Sequence, residues 1–101
     1  MAQPAILIVE DEQKLSRVLQ LELEYEYYRT KVADNGLDAL RFIRDETWDL
    51  VLLDIMLPEL SGLEVLRRLR LSDEVTPIRF YRVDKAREPS YRWYGARSGD
   101  C

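Results

Sequence analysis

The sequence predicts one α/β domain built on a doubly wound parallel sheet, and three observations lead to this fold class. Residues 5–9 and 50–53 are continuously apolar, as expected of strands that are buried on both faces of a sheet. Segments of helical periodicity alternate with these runs, which is the order of a parallel sheet with right-handed crossovers. The chain has 101 residues, which is room for a single small domain.

The first half of the chain predicts a strand, a helix, an edge strand and a second helix. After the strand at 5–9, a helical pattern runs from residue 12 to about 28, and a β-branched segment at 30–33 predicts the edge strand. Turn residues at 34–36 precede a helix that ends near Asp45. The residues expected to form the buried stripe of the first helix are Leu15, Val18, Leu21, Tyr25 and Tyr28.

A third helix and a further strand follow the apolar run at 50–53. Ser61 and Glu64 form a capping box, so a helix is expected to begin there. Its buried stripe is expected to contain Leu63, Leu66 and Leu69. Thr76-Pro77-Ile78 then predicts entry to a strand, because proline is tolerated at a strand's first residue.

Composition excludes several classes of protein. The net charge of −4 argues against a nucleic-acid-binding surface. No apolar run approaches the roughly 18 residues of a membrane span, and the run at 5–9 is too short for the core of a signal peptide. Histidine is absent, which excludes histidine catalysis and histidine-ligated metals, and Cys101 is the only cysteine. A cytoplasmic protein without a membrane span is therefore expected.

Acidic side chains follow two predicted strands at the point where each strand ends. Glu10 and Asp11 follow the first apolar run, and Asp54 follows the run at 50–53. Ligands of open α/β sheets bind at the carboxyl ends of the strands, and clustered carboxylates need raised pKa values or a bound cation. Oxygen-only ligands suit Mg²⁺. A carboxylate nucleophile beside such a cation is an arrangement that supports phosphoryl transfer.

Each acid also has an ordinary structural explanation. Acids directly after strands are common helix caps, and Glu10-Asp11-Glu12 could merely favour a helix N-terminus. The combination of all the acids at two strand ends favours the functional interpretation.

Two segments carry a resemblance to a known family. Residues 6–12, Ile-Leu-Ile-Val-Glu-Asp-Glu, and residues 50–62, Leu-Val-Leu-Leu-Asp-Ile-Met-Leu-Pro-Glu-Leu-Ser-Gly, resemble the signature segments of response-regulator receiver domains. They are most similar to those of the winged-helix transcriptional branch. The resemblance covers about residues 4–78 and implies a flavodoxin-like strand order.

The resemblance implies a role for each acid. Asp54 would accept a phosphoryl group from a sensor histidine kinase. Asp11 and Asp54 would ligate Mg²⁺ directly, Glu10 would assist through water, and the main-chain carbonyl of Met56 would complete the protein's ligands. The chain would then be a signalling domain rather than an enzyme, and DNA binding would belong only to a full-length relative.

The resemblance weakens near Ile78. Residues 1–78 carry nine basic and sixteen acidic side chains, whereas 79–101 carry six basic and three acidic. In the family, the fourth strand ends in Ser or Thr and the fifth strand ends in Lys. Here Arg82 stands roughly where the Ser or Thr is expected, and the chain ends before such a lysine could appear. We therefore interpret 1–78 as a partial receiver domain, incomplete at its C-terminal end, and 79–101 as a non-family tail. A change of coding frame or a divergent extension would explain it.

Two other functions are open to such a chain. It could be a truncated remnant that binds Mg²⁺ or a partner protein but cannot switch. It could also be a phosphatase of the haloacid-dehalogenase type, although that chemistry usually needs a second acid where this sequence has Met56.

The tail predicts consequences for the sheet. Arg79 and Arg82 are expected on one side of the strand and Phe80 on the other, so the strand should shorten, lie at an edge or turn that face to water. Apolar surface at 50–53 would then be partly uncovered. Either a homodimer forms through this side, or aromatic side chains of the tail pack over the gap: Phe80, Tyr81, Tyr91, Trp93 and Tyr94.

Overall fold

The computed structural model describes residues 3–73, 75–83 and 91–94, with side chains at 3–73 and 75–81. From β1 to the start of β4 the elements alternate as the sequence predicts, with bounds that differ from the predicted ones by a few residues at most, whereas β5 is not predicted. They are β1 (Ala5–Val9), α1 (Gln13–Tyr25), β2 (Arg29–Ala33), α2 (Gly36–Asp45), β3 (Leu50–Asp54), α3 (Gly62–Arg70), β4 (Ile78–Val83) and β5 (Tyr91–Tyr94).

The strands form one sheet in the order β2-β1-β3-β4-β5. The first four strands in this order are parallel, and β5 pairs antiparallel with β4. This confirms the predicted α/β class, the flavodoxin-like order of the parallel strands and the edge position of β2. Among the described residues the sheet contains no fifth parallel strand.

Helices cover both faces of the sheet. On one face, α2 and α3 pack Ala39, Ile43, Val65 and Leu69 against the odd-numbered positions of β1 and β3. On the other face, α1 packs Leu15 and Leu19 against the even-numbered positions of the same strands. The central strands are therefore dry on both sides, which explains why their sequences are apolar without alternation.

The face that α1 buries differs from the predicted stripe. Leu15 is buried as predicted, but Val18, Leu21 and Tyr25 are exposed, and Leu19 takes part in the core instead. Leu15 and Leu19 are four residues apart and lie on the same face of the helix. Val18 and Leu21, which follow Leu15 at intervals of three, lie progressively further round the helix from that face. The apolar residues of α1 thus extend around more of the helix than the face that packs against the sheet.

The prediction for α3 is correct for its start and for one of its buried leucines. Ser61 Oγ accepts a hydrogen bond of 3.2 Å from the backbone N–H of Glu64, so the helix begins where the capping box places it. Leu69 is buried, but Leu63 is 60% exposed and Val65 takes its place in the core. Val65 and Leu69 are again four residues apart, which selects the face toward the sheet.

The strand that begins the tail is better covered than the sequence suggests. Ile78 and Phe80 pack against the core on the α2–α3 side, Tyr81 is fully buried on the α1 side, and Arg79 is exposed. The prediction that Arg79 and Arg82 share a side falls partly outside the described side chains, which in β4 end at Tyr81, and it stays a prediction.

Strand β4 covers most of the expected gap beside β3, and Leu50 stays half-buried. Strands β1 and β4 flank β3, and Val51, Leu52 and Leu53 are buried. Phe80 and Tyr81 thus contribute to the core as predicted. The side chains of residues 91, 93 and 94 lie outside the described side chains, so their predicted packing stays a prediction.

Tyr27 ends α1 in a conformation that favours glycine. Its φ is 69°, its N–H donates to Glu24 O, and the N–H of Tyr28 donates to Leu23 O, which together form a Schellman motif. A non-glycine residue in this left-handed region costs about 1–2 kcal/mol. The Tyr27 side chain is 79% exposed and therefore contributes little packing in return.

We expect Tyr27→Gly to raise the free energy of unfolding by about 0.5–1 kcal/mol, since relief of the strain exceeds the entropy that glycine adds to the unfolded chain. Urea denaturation measures the change. Tyr25→Gly is the matched control: it removes an equally exposed tyrosine from a helical position and should destabilise the protein by about 0.5 kcal/mol. Equal effects of the two substitutions would contradict the strain at Tyr27.

Candidate functional site

The sheet brings the three predicted acids to one place. Strands β1 and β3 are neighbours with Val9 opposite Leu53, so the residues that follow or end them meet at the carboxyl edge of the sheet. One carboxylate oxygen each from Glu10, Asp11 and Asp54 can be chosen so that all lie within 4.8 Å of one another. The order of the strands thus brings the three carboxylates together.

Glu10 is held on both sides of its carboxylate. It is 1% exposed, and its backbone N–H donates to Ala33 O of the neighbouring strand at 3.0 Å. Its Oε2 accepts a hydrogen bond of 2.9 Å from the N–H of Glu12. Its Oε1 accepts a hydrogen bond of 2.9 Å from the hydroxyl of Tyr81. The carboxylate is thus buried but well supplied with donors, which is how a buried charge is tolerated.

Asp54 is the last residue of β3 and is fully buried. Its Oδ1 accepts a hydrogen bond of 3.0 Å from the N–H of Met56, which fixes the rotation of the carboxylate. Asp11 is exposed at the rim of the cluster, and Met56 is exposed in the loop after β3. The use of the Met56 carbonyl as a ligand stays a prediction.

The loop after Asp54 is shaped by close backbone contacts. The N–H of Ile55 donates to Tyr81 O and the N–H of Gly62 donates to Ile55 O, both at 3.1 Å. Glu59 has a φ of 66°, which lets the chain reverse direction before α3 begins. The loop therefore leaves β3 with a hydrogen bond to β4, and its end at Gly62 returns against Ile55.

The donor set fits a hard divalent cation. Three carboxylates offer oxygen ligands only, two of them come from buried residues, and their like charges repel at these distances. A divalent cation with oxygen ligands, such as Mg²⁺, would offset that repulsion, whereas zinc would favour nitrogen or sulfur ligands.

Tyr81 is the site residue that sequence reasoning did not assign to the cluster. Its ring lies in the core with Leu52 and Leu15, and its hydroxyl reaches Glu10 Oε1 and also Val9 O, the latter at 3.2 Å. Burial, with the nearby charge of Glu10 as the next cause, raises the pKa of Tyr81 far above its ordinary value. The hydroxyl therefore keeps its proton and acts as a donor.

A signal for Tyr81 was present in the sequence. Buried tyrosine hydroxyls usually find a hydrogen-bond partner. Position 81 stands opposite Asp54 in the parallel pairing of β3 and β4. If β4 is continued past Ile78 in the same pairing with β3, Tyr81 comes to stand beside the acids.

The described helices contain no segment long and apolar enough to cross a bilayer.

A family model matches most of the chain. The model is that of the response regulator receiver domain, and it covers residues 6–92. The match extends past residue 78, while the division of the chain at that residue stays a prediction.

Curated relatives are bacterial regulators of transcription and response regulators. The chain is 60% identical over 73 residues to YkoG of Bacillus subtilis, an uncharacterised transcriptional regulatory protein, with 72% of this chain and 32% of that protein covered. It is 48% identical over 73 residues to the response regulator ArlR of Staphylococcus saprophyticus, with 72% of this chain and 33% of that protein covered. The chain thus spans about a third of the length of these relatives.

Solved structures agree with the family match. A Francisella response regulator receiver domain superposes with a TM-score of 0.76 at 28% identity, covering 82% of this chain and 69% of that chain. The response regulator TrrA of Thermotoga maritima, in complex with Mg²⁺ and BeF, superposes with a TM-score of 0.72 at 38% identity, covering 75% and 66%. With the acids at the carboxyl ends of β1 and β3, these matches show that the chain belongs to the family of response regulator receiver domains of two-component systems.

Proposed function

We propose that this chain accepts a phosphoryl group from a sensor histidine kinase onto Asp54, with Mg²⁺ held by Glu10, Asp11 and Asp54. The observation that carries the proposal is the convergence of one oxygen from each of these carboxylates within 4.8 Å, in a chain of the receiver family. The fit of TrrA, solved with Mg²⁺ and BeF, supports the same use of the site.

Asp54 is the residue suited to be the nucleophile. Burial at the end of β3 fixes its position, and the hydrogen bond from Met56 N–H fixes its rotation. In the proposed step, an oxygen of the Asp54 carboxylate attacks phosphorus, the bond between phosphorus and the donor's leaving atom breaks, and an acyl phosphate results. A bound Mg²⁺ would neutralise charge on the phosphoryl oxygens during this transfer.

The neighbours of Asp54 have supporting roles. Glu10 and Asp11 supply the negative charge that attracts the cation, and Met56 is proposed to offer its main-chain carbonyl. Arg82 follows Tyr81 in β4, at the position where the family's hydroxyl is expected, so the sequence lacks that hydroxyl at this position.

The wider setting of the chain is part of the proposal. We infer a signalling domain rather than an enzyme with its own turnover, acting in the cytoplasm and without direct contact with nucleic acid. The homodimer through the truncated side of the sheet stays a prediction.

The proposal is tested by phosphorylation with a small donor. We expect acetyl phosphate and Mg²⁺ to add one phosphoryl group to the chain, detected by intact mass, and we expect Asp54→Asn to give no adduct because it removes the nucleophile. Chelation of Mg²⁺ should also abolish the adduct. Asp45→Asn, at an exposed carboxylate of α2, is the matched control and should be modified like the wild type. An adduct of equal yield on Asp54→Asn would remove Asp54 from the role.

A further inference from the structure

We propose that Tyr81 is a positioning residue of the acid cluster, whose hydroxyl holds the Glu10 carboxylate in the orientation in which it meets a divalent cation. The inference rests on the proposed function, because it concerns the same cation site. Nothing in the sequence motifs of that site includes position 81, which lies in the segment after Ile78.

The geometry of the sheet makes this contact unusual. Tyr81 belongs to β4 and Glu10 follows β1, with β3 between them. Neighbouring strands lie about 4.8 Å apart, so the contact spans about two strand spacings. An aliphatic side chain at position 81 would fill the same core but would end well before Glu10. The hydroxyl, by contrast, lies 2.9 Å from Glu10 Oε1.

The two oxygens of Glu10 have separate donors. Tyr81 donates to Oε1 and Glu12 N–H donates to Oε2, so rotation of the carboxylate breaks at least one hydrogen bond. Since all the acids of the cluster carry like charge, an untethered Glu10 would turn away from Asp11 and Asp54. Donors to metal-ligating carboxylates of this kind raise cation affinity by fixing the ligand before the cation arrives.

Packing alone does not explain the hydroxyl. The ring of Tyr81 contacts the core with Ile8 and Leu52, and phenylalanine would provide the same contacts. The hydroxyl sits at the sheet edge, where its partners are Val9 O and Glu10. Tyr81→Phe therefore removes the hydroxyl with both of these hydrogen bonds and retains the ring.

The test is a titration of the full chain with magnesium chloride by calorimetry. We expect Tyr81→Phe to weaken Mg²⁺ binding about tenfold, the lower end of the range for such supporting groups. Tyr28→Phe is the matched control: Tyr28 is half-buried against the same cluster as Tyr81, and its loss of a hydroxyl should leave the affinity unchanged.

A double-mutant cycle separates positioning from general structure. If Tyr81 acts through Glu10, then Tyr81→Phe should change Mg²⁺ affinity by less than about twofold in a Glu10→Gln background. A merely structural role would weaken binding by the same factor in both backgrounds. That result, or equal affinities of Tyr81→Phe and the wild type, overturns the inference while the proposed function stands. Failure of the wild type itself to bind Mg²⁺ overturns both.

A second measurement covers the case in which Tyr81→Phe does not fold. In the wild type labelled with ¹³C at the tyrosine Cζ atoms, we expect one tyrosine resonance to shift as Mg²⁺ is added. The shift should persist in Tyr28→Phe and vanish in Glu10→Gln. Mg²⁺ binding without any shift of a tyrosine resonance contradicts a contact between Tyr81 and the cation site.

Discussion

A version of this chain that ends at Ile78 is expected to lose its cooperative unfolding transition. Removal of the segment after Ile78 deletes nearly all of β4 and the whole of β5, so β3 becomes an edge strand. Tyr81 and Phe80 leave the two halves of the core at the same time. Loss of one large buried aromatic side chain costs about 3–5 kcal/mol, against a total stability of about 5–15 kcal/mol for a small domain.

Circular dichroism with thermal denaturation measures the loss, and sedimentation measures the state of association. A version that ends at Tyr94 retains β4 and β5 and is the matched control, which should keep a cooperative transition. We expect the version that ends at Ile78 to be unfolded or to self-associate through the exposed edge of β3. A monomer as stable as the full chain would show that residues after Ile78 do not contribute to the fold.

The sequence predicts the centre of the sheet well because burial on both faces leaves a strong pattern. The runs at 5–9 and 50–53 could hardly be surface segments, and the acids that end them mark the edge where a ligand would bind. The parallel order then places β1 beside β3, and the approach of Asp11 to Asp54 follows without any knowledge of side-chain conformation.

The faces of the helices are less predictable. In α1, Leu15 and Val18 are both apolar, but Leu15 is buried and Val18 is exposed. Hydropathy alone cannot choose between them, because the choice depends on how the helix rotates against the sheet. The same is true of Leu63 and Val65 in α3.

The sequence did not predict the role of Tyr81 for a different reason. Its role depends on a register, Asp54 opposite Tyr81, that continues a strand through a segment with an arginine on each side. Arg79 is accommodated because its position in β4 is exposed. The charge of residues 79–101 separates this segment from the rest of the chain, although the pairing of β3 with β4 buries Tyr81 and leaves Arg79 exposed.

Of the two glycines that the structure describes, Gly62 is the one at which an added methyl group is expected to be more damaging. A Cβ atom on Gly62 would come closer than 3.0 Å to the carbonyl oxygen of Asp54 and would also crowd Ile55 Cα. Both obstacles are backbone atoms at the carboxyl end of β3, and they cannot rotate away. The N–H of Gly62 also donates to Ile55 O, which ties the two segments together. The clash must therefore move the segment that carries the Asp54 carboxylate.

We expect Gly62→Ala to lower the free energy of unfolding by about 2–3 kcal/mol, the upper range for overpacking. We also expect it to weaken Mg²⁺ binding. Urea denaturation of the full chain measures the first effect, and calorimetry measures the second. Gly36→Ala is the matched control, because the nearest atoms that its Cβ would meet belong to side chains, Val65 Cγ2 at 2.7 Å and Leu60 Cδ2 at 3.0 Å. Val65→Ala should rescue much of the loss at Gly36, since the obstacle is removed, but none of the loss at Gly62. Unchanged stability and Mg²⁺ affinity of Gly62→Ala would show that the loop after Asp54 shifts at little cost to accommodate the added methyl group. The site would then not depend on this close approach of α3 to β3.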